Sequence, residues 1–459
     1  MRIFIYSQTD ANQHFYRADI LVYEVVTPIC IGMWCHAWVC LDLFELNMSL
    51  SENPTLVEDD EIRRNAARFS MQMLLLVCCA HCCNDLIQAV IPATLPLLKE
   101  NYMLTFAEVG LITMVVQITA SLLQPMVGWA ADHRSFNQSL TVGMGVTFTG
   151  LIALSNAHSY EMILISVAFI GAGSAIFHPE AARRAQRFAN GRPGLAQAVF
   201  QVGGNGGAAF GPLAAALILT QYGQDGIALF AAFAAVAMIL LFYIGRMSLK
   251  VPAGLKSPTE KSASTTPLSS IFRGATGKLF LLLFVLMFSK MVFTSSLSSY
   301  LTFYVIEKFG VSVSVSQYVL FAFLAAAALG TVLGGPLTDK FGRRRIIFLS
   351  IVGAAPFALA LPYVNFTGVI ILTIIAAIII SSAFSAILVS ALHAAPGRTG
   401  LVSGVFFGFA FGLGGVITGV LGVIADHIGI EAVFQYTTLM PLLGIVALAL
   451  PKTINGRPL

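Results

Sequence analysis

Long apolar stretches separated by short polar ones run through most of the chain. From Phe69 onward twelve can be drawn, each long enough for a helix that crosses the ~30 Å hydrocarbon core of a bilayer. Backbone groups in lipid must hydrogen-bond within their own segment, so the pattern predicts membrane-spanning α-helices rather than the short alternating segments of a β-barrel. The predicted helices are 70–98, 106–130, 138–157, 160–180, 195–220, 226–246, 277–305, 314–337, 345–363, 367–391, 399–424 and 430–450.

A polar stretch at 247–276 divides these helices into two sets of six. It is rich in serine, threonine, proline and charged residues, which is typical of a flexible, solvated linker. We therefore predict an all-α polytopic membrane protein with twelve transmembrane helices in two six-helix repeats. Its parts are an N-terminal cytoplasmic tail at 1–69, bundles at 70–246 and 277–450, a cytoplasmic linker at 247–276 and a second tail at 451–459.

The two sets of helices also resemble each other in sequence. The charged turn at 334–345 has a weaker copy at 128–134, 207 positions earlier, and residues 194–200 match residues 400–406 at an offset of 206. Separated matches at nearly one offset indicate an internal duplication, which is a common plan among transporters.

Basic residues are strongly biased to one side of the predicted membrane. Among the loops on the opposite side, only Lys99 and Lys308 are basic. The positive-inside rule therefore places both termini and the central linker in the cytoplasm, which agrees with an even number of spans.

The first 47 residues do not fit this plan. The stretch 20–44 is apolar, but Glu24, Pro28, His36 and Asp42 interrupt it, and the residues before it lack the layout of a secretory signal. We expect residues 1–47 to be a start-site artefact and Met48 to be the native start. Mass spectrometry of the natural N-terminus would test this expectation.

Composition narrows the class of function. The chain is 57% hydrophobic and only 10% charged, with a mean hydropathy of +0.83, which soluble domains rarely show. Cys78, Cys79, Cys82 and Cys83 surround His81, but cysteine is a common small apolar side chain and no second ligand set exists elsewhere in the sequence, so we expect no metal.

Charged side chains inside the predicted helices are the main functional candidates, because a charge near the middle of the bilayer costs roughly 3 kcal/mol or more. Asp85 lies about 22 Å along the first helix, and His81 lies one turn away on the same face. Lys290 lies about 20 Å along the seventh helix, at the position equivalent to Asn84. Lys290 is expected to attract an anionic substrate, or to pair with Asp85 when the site is empty.

Other polar residues extend the list of candidates. His178 and Glu180 flank Pro179 near the end of the fourth helix, where a carboxylate could hold a proton or simply pair with arginines. The candidates for proton coupling are Asp85, His81, Glu180 and His178. The candidates for substrate binding are Lys290, Asn84, Gln201, Asn205, Gln117 and Gln124.

The charged turn identifies a family. Gly335-x3-Asp339-Lys340-x-Gly342-Arg343-Arg344-Arg345 resembles the signature loop of the major facilitator superfamily, and the motifs around His81 and His178 resemble those of its drug exporters. A glycine in this loop allows close helix approach, and an aspartate can bond a neighbouring helix, so the loop is a candidate conformational latch. The predicted latch residues are Gly128, Asp132, Gly335, Asp339, Gly342, Arg343 and Arg344.

The resemblance implies a proton-driven drug exporter of the bacterial inner membrane, with phosphonates among its cargo. Its expected partners are small-molecule drugs or organic anions, protons and the lipid bilayer. We expect no cofactor and no nucleic acid, and a monomer. The alternatives are an organic-anion or sugar-phosphate transporter and, more remotely, a membrane-embedded enzyme or sensor, although the sequence holds neither an HExxH motif nor a nucleotide-binding glycine loop.

Overall fold

The computed structural model describes residues 54–124, 126–127, 137–188, 193–247, 274–394, 406, 408, 410–454 and 457–458. Of residues 1–67 it describes only those from Pro54 onward. The segment 1–47, expected to be a start-site artefact, therefore lies outside the described residues, as does most of the linker. Residues 68–459 form one packed unit.

The described part of the chain is helical almost throughout. Its α-helices are α1 Pro54–Tyr102, α2 Phe106–Leu122, α3 Ser139–Ser155, α4 Tyr160–Arg187, α5 Pro193–Tyr222, α6 Ile227–Met247, α7 Gly274–Phe309, α8 Val313–Phe341, α9 Arg343–Ala360, α10 Phe366–Ser381, α11 Ala383–Ala394, α12 Ala410–Ile428 and α13 Ile430–Thr437. The 3-10 segments are Gly223–Gly226, Leu361–Tyr363 and Met440–Ala449, and β1 Thr453–Ile454 pairs antiparallel with β2 Arg457–Pro458.

Length and hydropathy agree with a membrane protein. Eight helical stretches of the described chain are long and apolar enough to span a bilayer, and one of them, Val199–Met247, holds both α5 and α6. Three shorter apolar helices, Phe106–Ser121, Ser139–Ser155 and Gly412–Ile428, lie between them. The predicted all-α class is confirmed for the described residues, with the two-residue strands as the exception.

Two predicted helices differ from the structure. The predicted helix 367–391 is interrupted at Ser382. The Ser382 hydroxyl hydrogen-bonds the Ser350 hydroxyl and the Ile379 carbonyl. The last predicted helix is α-helical only to Thr437 and continues as a 3-10 segment. Pro441 lies at the start of this segment, and its nitrogen carries no hydrogen for the α-helical bond to the Thr437 carbonyl.

Close packing joins α2 to α12. A Cβ added at Gly110 would lie 3.0 Å from the carbonyl oxygen of Gly419, and a Cβ added at Gly422 would meet the Phe106 carbonyl oxygen more closely still. The Tyr300 hydroxyl of α7 donates to the Thr418 carbonyl in the same region, at 2.6 Å. Small residues therefore let these backbones approach, as in other membrane helix pairs.

The beginning of α2 is capped from the other half of the chain. The Asp426 carboxylate accepts hydrogen bonds from the backbone N–H groups of Phe106 at 2.7 Å and Ala107 at 2.8 Å. Thr105 and Glu108 add a local capping box. A negative charge at a helix N-terminus is favourable, so Asp426 ties the end of α12 to the start of α2.

Replacing Asp426 should loosen this end of the molecule. We expect Asp426→Ala to lower the free energy of unfolding by about 1–2 kcal/mol, since two helix N–H groups lose their acceptor. In a cysteine-free background, Ala107→Cys should then react faster with a water-soluble maleimide. The exposed neighbour His427, replaced by alanine, is the control. Equal labelling rates in all three proteins would contradict the assignment.

Candidate functional site

The polar centre of the structure is built around Asp85 on α1. One carboxylate oxygen, Oδ2, lies 3.2 Å from His81 Nε2, and the other, Oδ1, lies 3.2 Å from Nε2 of His178 on α4. The Asn84 side-chain amide donates to Oδ1 at 2.9 Å. The structure thus brings together four of the residues predicted from sequence in one cluster.

Backbone carbonyls fix the orientation of both imidazole rings. His81 Nδ1 lies 2.8 Å from the Phe200 carbonyl oxygen of α5, and His178 Nδ1 lies 3.1 Å from the Ser174 carbonyl oxygen of its own helix. A carbonyl oxygen can only accept, so His81 Nδ1 carries a hydrogen, whereas His178 Nδ1 also lies 3.1 Å from the Ser174 hydroxyl, which can donate to it. Each Nε2 is therefore turned towards the carboxylate.

Aromatic packing holds the His81 ring in place. It stacks on the Phe200 ring, with centroids 3.9 Å apart and planes inclined by 17°. Phe177 and the His178 ring lie on its other sides, at 5.7 and 5.4 Å between centroids. His81 is almost fully buried. Its two ring nitrogens face the Asp85 carboxylate and the Phe200 carbonyl.

This arrangement calls for hydrogens at the two Nε2–carboxylate contacts. With Nδ1 protonated on His81, its neutral ring would turn the lone pair of Nε2 towards an ionised carboxylate. One added proton makes this contact favourable. The cluster is therefore built to accept protons.

The side chains of His81, Asp85 and His178 could together hold a metal ion. One ligand atom each from His81, Asp85 and His178 lie within 4.8 Å of one another. Two imidazoles and a carboxylate suit a divalent transition metal, and Nδ1–carbonyl hydrogen bonds also accompany metal-binding histidines. The Cys residues considered above contribute no ligand to this group.

Glu180 does not belong to the Asp85 cluster. It is buried two residues beyond His178, and its Oε1 lies 3.4 Å from the Arg183 Nη1. This geometry corresponds to the second possibility raised by the sequence, a carboxylate paired with arginine.

Lys290 lies on α7, where it is buried against an aromatic ring. It is only 6% exposed, and its ammonium lies 5.1 Å from the centre of the Phe384 ring on α11. Among the described residues, no carboxylate forms an ion pair with it, and Asp85 pairs instead with the two histidines. Cation–π contact offsets part of the cost of burying the charge.

The predicted amide groups are scattered. Gln201 and Asn205 lie one turn apart on α5, and the buried Asn205 Nδ2 has no hydrogen-bond partner within the described structure. Gln124 donates to the Ala120 carbonyl of its own helix at 2.8 Å. Gln117 packs against Gly415 of α12. Asn205 Nδ2 and Asn84 Oδ1 are therefore the buried atoms of the predicted amides that lack a hydrogen-bond partner among the described residues.

The predicted latch is described only in its second copy. Gly128 and Asp132 lie outside the described residues, as does the Asp339 side chain. Close helix approach occurs at Gly334, where an added Cβ would meet the Ser382 carbonyl, whereas one at Gly335 would have nothing within 4 Å.

Gly342 and the arginines that follow it shape the turn between α8 and α9. Gly342 has a φ of +84°, a conformation that favours glycine. Arg343 Nη1 lies 2.6 Å from His393 Nδ1 on α11, and Arg344 donates to the Leu448 carbonyl at 3.1 Å. These contacts connect the turn to helices that lie later in the chain.

A cavity of about 410 Å³ opens elsewhere, beside the loop at Met103. Its lining includes Lys99, Glu100, Phe303 and Glu307, and none of the predicted site residues contributes to it. The cavity is therefore separate from the Asp85 cluster.

Sequence reasoning missed the residues that position the cluster. The Phe200 and Ser174 carbonyls have no sequence signature, because every residue carries a carbonyl. Phe384 could have been found, since it follows His178 by the same offset of 206 that relates Lys290 to Asn84.

Comparison with known proteins identifies the family. The profile of the Major Facilitator Superfamily matches residues 77–419 and 279–457. The chain belongs to this superfamily. It is accordingly a multi-pass membrane transporter and not an enzyme, and the family resemblance predicted from the charged turn is confirmed.

Two relatives match most of the transporter's length. The fosmidomycin resistance protein of Escherichia coli (strain K12) is 44% identical over 405 residues, which cover 88% of this chain and 98% of that protein. The MFS-type transporter YfnC of Bacillus subtilis (strain 168) is 37% identical over 380 residues, covering 83% and 93%.

Solved transporters share the fold at low sequence identity. A bacterial homologue of the human lysosomal transporter Spinster, inward-facing and unoccupied, superposes with a TM-score of 0.65 at 16% identity, covering 84% of this chain and 96% of that one. The nucleoside transporter NupG gives a TM-score of 0.64 at 12% identity, covering 83% and 99%.

The position of Glu180 gives a testable distinction. We expect Glu180→Gln to lower the free energy of unfolding by about 1–3 kcal/mol, because Arg183 loses its anionic partner. The imidazole titration curves of His81 and His178, followed by NMR of the purified transporter, should not move. A displaced His178 curve would show that Glu180 acts with the cluster.

Proposed function

We propose that this transporter exports anionic drugs, fosmidomycin-like phosphonates in particular, in exchange for protons. The observation that carries the proposal is the Asp85 carboxylate held between two imidazole Nε2 atoms inside the helices. The 44% identity to a fosmidomycin resistance protein supports the drug and the direction of transport.

The proton would bind where the cluster lacks hydrogen. A proton added between His81 Nε2 and Asp85 Oδ2 turns an unfavourable contact into a charge-assisted hydrogen bond. Loss of that proton restores the repulsion, so the two protonation states favour different positions of α1, α4 and α5. A proton gradient can then bias the conformational equilibrium of the transporter.

The drug anion would bind at Lys290. A buried ammonium without an ion-pair partner among the described residues is costly in a membrane, which favours a role in ligand binding. A phosphonate offers several acceptor oxygens to it. Other organic anions, including sugar phosphates, share this chemistry, and the relative's drug resistance favours the drug.

The arrangement in the membrane follows the sequence proposal. Dividing Val199–Met247 between α5 and α6, and counting the three shorter apolar helices, would give twelve spans in two repeats, with both termini in the cytoplasm of a bacterial cell and no cofactor or partner subunit. In support of the repeat, Tyr102 and Lys308, at the 206 offset, donate to the carbonyls of Ala157 and Pro362 in corresponding loops.

Removing the carboxylate should abolish coupling. In proteoliposomes with an imposed pH difference, Asp85→Asn should lose gradient-driven fosmidomycin transport by at least about tenfold, because the amide cannot exchange a proton. Exchange of labelled for unlabelled drug without a gradient should persist. Glu180→Gln is the matched control and should stay coupled. Gradient-driven transport by Asp85→Asn would overturn the proton role of this residue.

Replacing Lys290 should weaken the binding of anionic ligands more than that of uncharged ones. We expect Lys290→Met to weaken binding of fosmidomycin about tenfold or more, with a smaller effect on an uncharged transported compound, since only the anion loses its counter-charge. Lys290→Arg, which keeps the charge, should retain most of the affinity. Binding measured by calorimetry decides: equal losses for both ligands would indicate a structural role.

A further inference from the structure

Helix α5 lies against α1 through a series of glycines. A Cβ added at Gly203 or Gly207 would collide with the backbone carbonyl of Cys78 or Cys82, respectively. At these two positions the absence of a side chain allows the two backbones to approach. That is the ordinary role of glycine in a membrane helix pair.

Gly204 differs from these neighbours because it faces the proton-accepting cluster itself. A Cβ added there would lie 2.6 Å from Asp85 Oδ2 and 2.6 Å from His81 Nε2, and closer still to His81 Cε1. In proteins a Cβ essentially never comes within 3.0 Å of a heavy atom of another, non-neighbouring residue. A methyl group at 204 would therefore occupy the edge of the contact between the imidazole and the carboxylate.

Other contacts hold both partners in place. The His81 ring is held by the Phe200 carbonyl and stacked on the Phe200 ring. Asp85 is held by Asn84 and His178 through its other oxygen. Phe200 and Gly204 lie one turn apart on α5, so this helix orients the imidazole with one residue and leaves room for its carboxylate contact with the other.

We propose that Gly204 is the positioning residue of the His81–Asp85 pair. By lacking a side chain it lets Nε2 and Oδ2 share a proton against α5. This inference rests on the proposed proton coupling for its functional meaning, although the geometry of the pair stands without it. Among the described residues, the further titratable group that contacts the pair is His178 of α4, whereas α5 contributes the Phe200 ring and carbonyl and the backbone of Gly204.

The experiment compares three alanine variants of α5. Gly204→Ala places a methyl against the pair, Gly203→Ala places one against the Cys78 carbonyl, and Gly206→Ala places one where nothing lies within 4 Å. Alanine favours a helix over glycine, so losses in any variant reflect contacts and not helix propensity. In the purified protein, NMR of the His81 imidazole and the infrared carboxyl band assigned with Asp85→Asn report titration of the pair.

Gly204→Ala should displace the titration midpoint of the pair by about one pH unit and reduce gradient-driven transport about tenfold. Its drug affinity, governed by Lys290, should change less than about threefold. Gly206→Ala should behave as the natural sequence. Gly203→Ala should melt at a lower temperature and move the titration midpoint less than Gly204→Ala does, because its methyl meets the Cys78 carbonyl and not the pair.

The outcomes separate this inference from the proposed function. If Gly204→Ala displaces the titration no more than Gly203→Ala does, Gly204 is a packing residue only and the inference fails, even where Asp85→Asn uncouples transport. If Gly204→Ala displaces the titration while transport keeps its normal pH dependence, Gly204 positions the pair but the pair does not drive transport. In that case the proposed function fails.

Discussion

Lipid offers no hydrogen-bond partner, so each polar group inside these helices must find one in the protein. Asp85 meets this constraint with the Asn84 amide and, once their Nε2 atoms are protonated, with two imidazoles, and each imidazole bonds a backbone carbonyl through Nδ1. The carbonyls come from α4 and α5, while the carboxylate comes from α1. One charge in the membrane thus fixes the relative positions of three helices.

The same constraint makes backbone proximity valuable. Helix α5 can supply a carbonyl to His81 only because Gly203 and Gly207 bring it against α1. At the start of α2, Asp426 reaches two backbone N–H groups only because α12 packs closely on α2 through Gly110 and Gly422. At both places, glycines allow two helices to approach closely enough for a polar contact between them to form.

The sequence predicted what depends on local spacing. Hydropathy located the helices, and the four-residue spacing of His81 and Asp85 predicted that they share a face. It did not predict that His178 completes the cluster while Glu180 pairs with Arg183, because that depends on the rotation of α4 against α1. Nor could spacing tell which of the adjacent glycines 334 and 335 faces a neighbouring helix, since that depends on packing alone.

At the offset of 206, Lys290 in the second half of the sequence is equivalent to Asn84 in the first, and Phe384 is equivalent to His178. One half holds a hydrogen-bonded acid among bases there, and the other holds a single cation over an aromatic ring. Under the proposed function, duplication allowed these positions to diverge, so that evolution can alter the preferred cargo through residues 290 and 384 while the energy-coupling residues stay fixed. Related exporters with new specificities should then vary in the second half first.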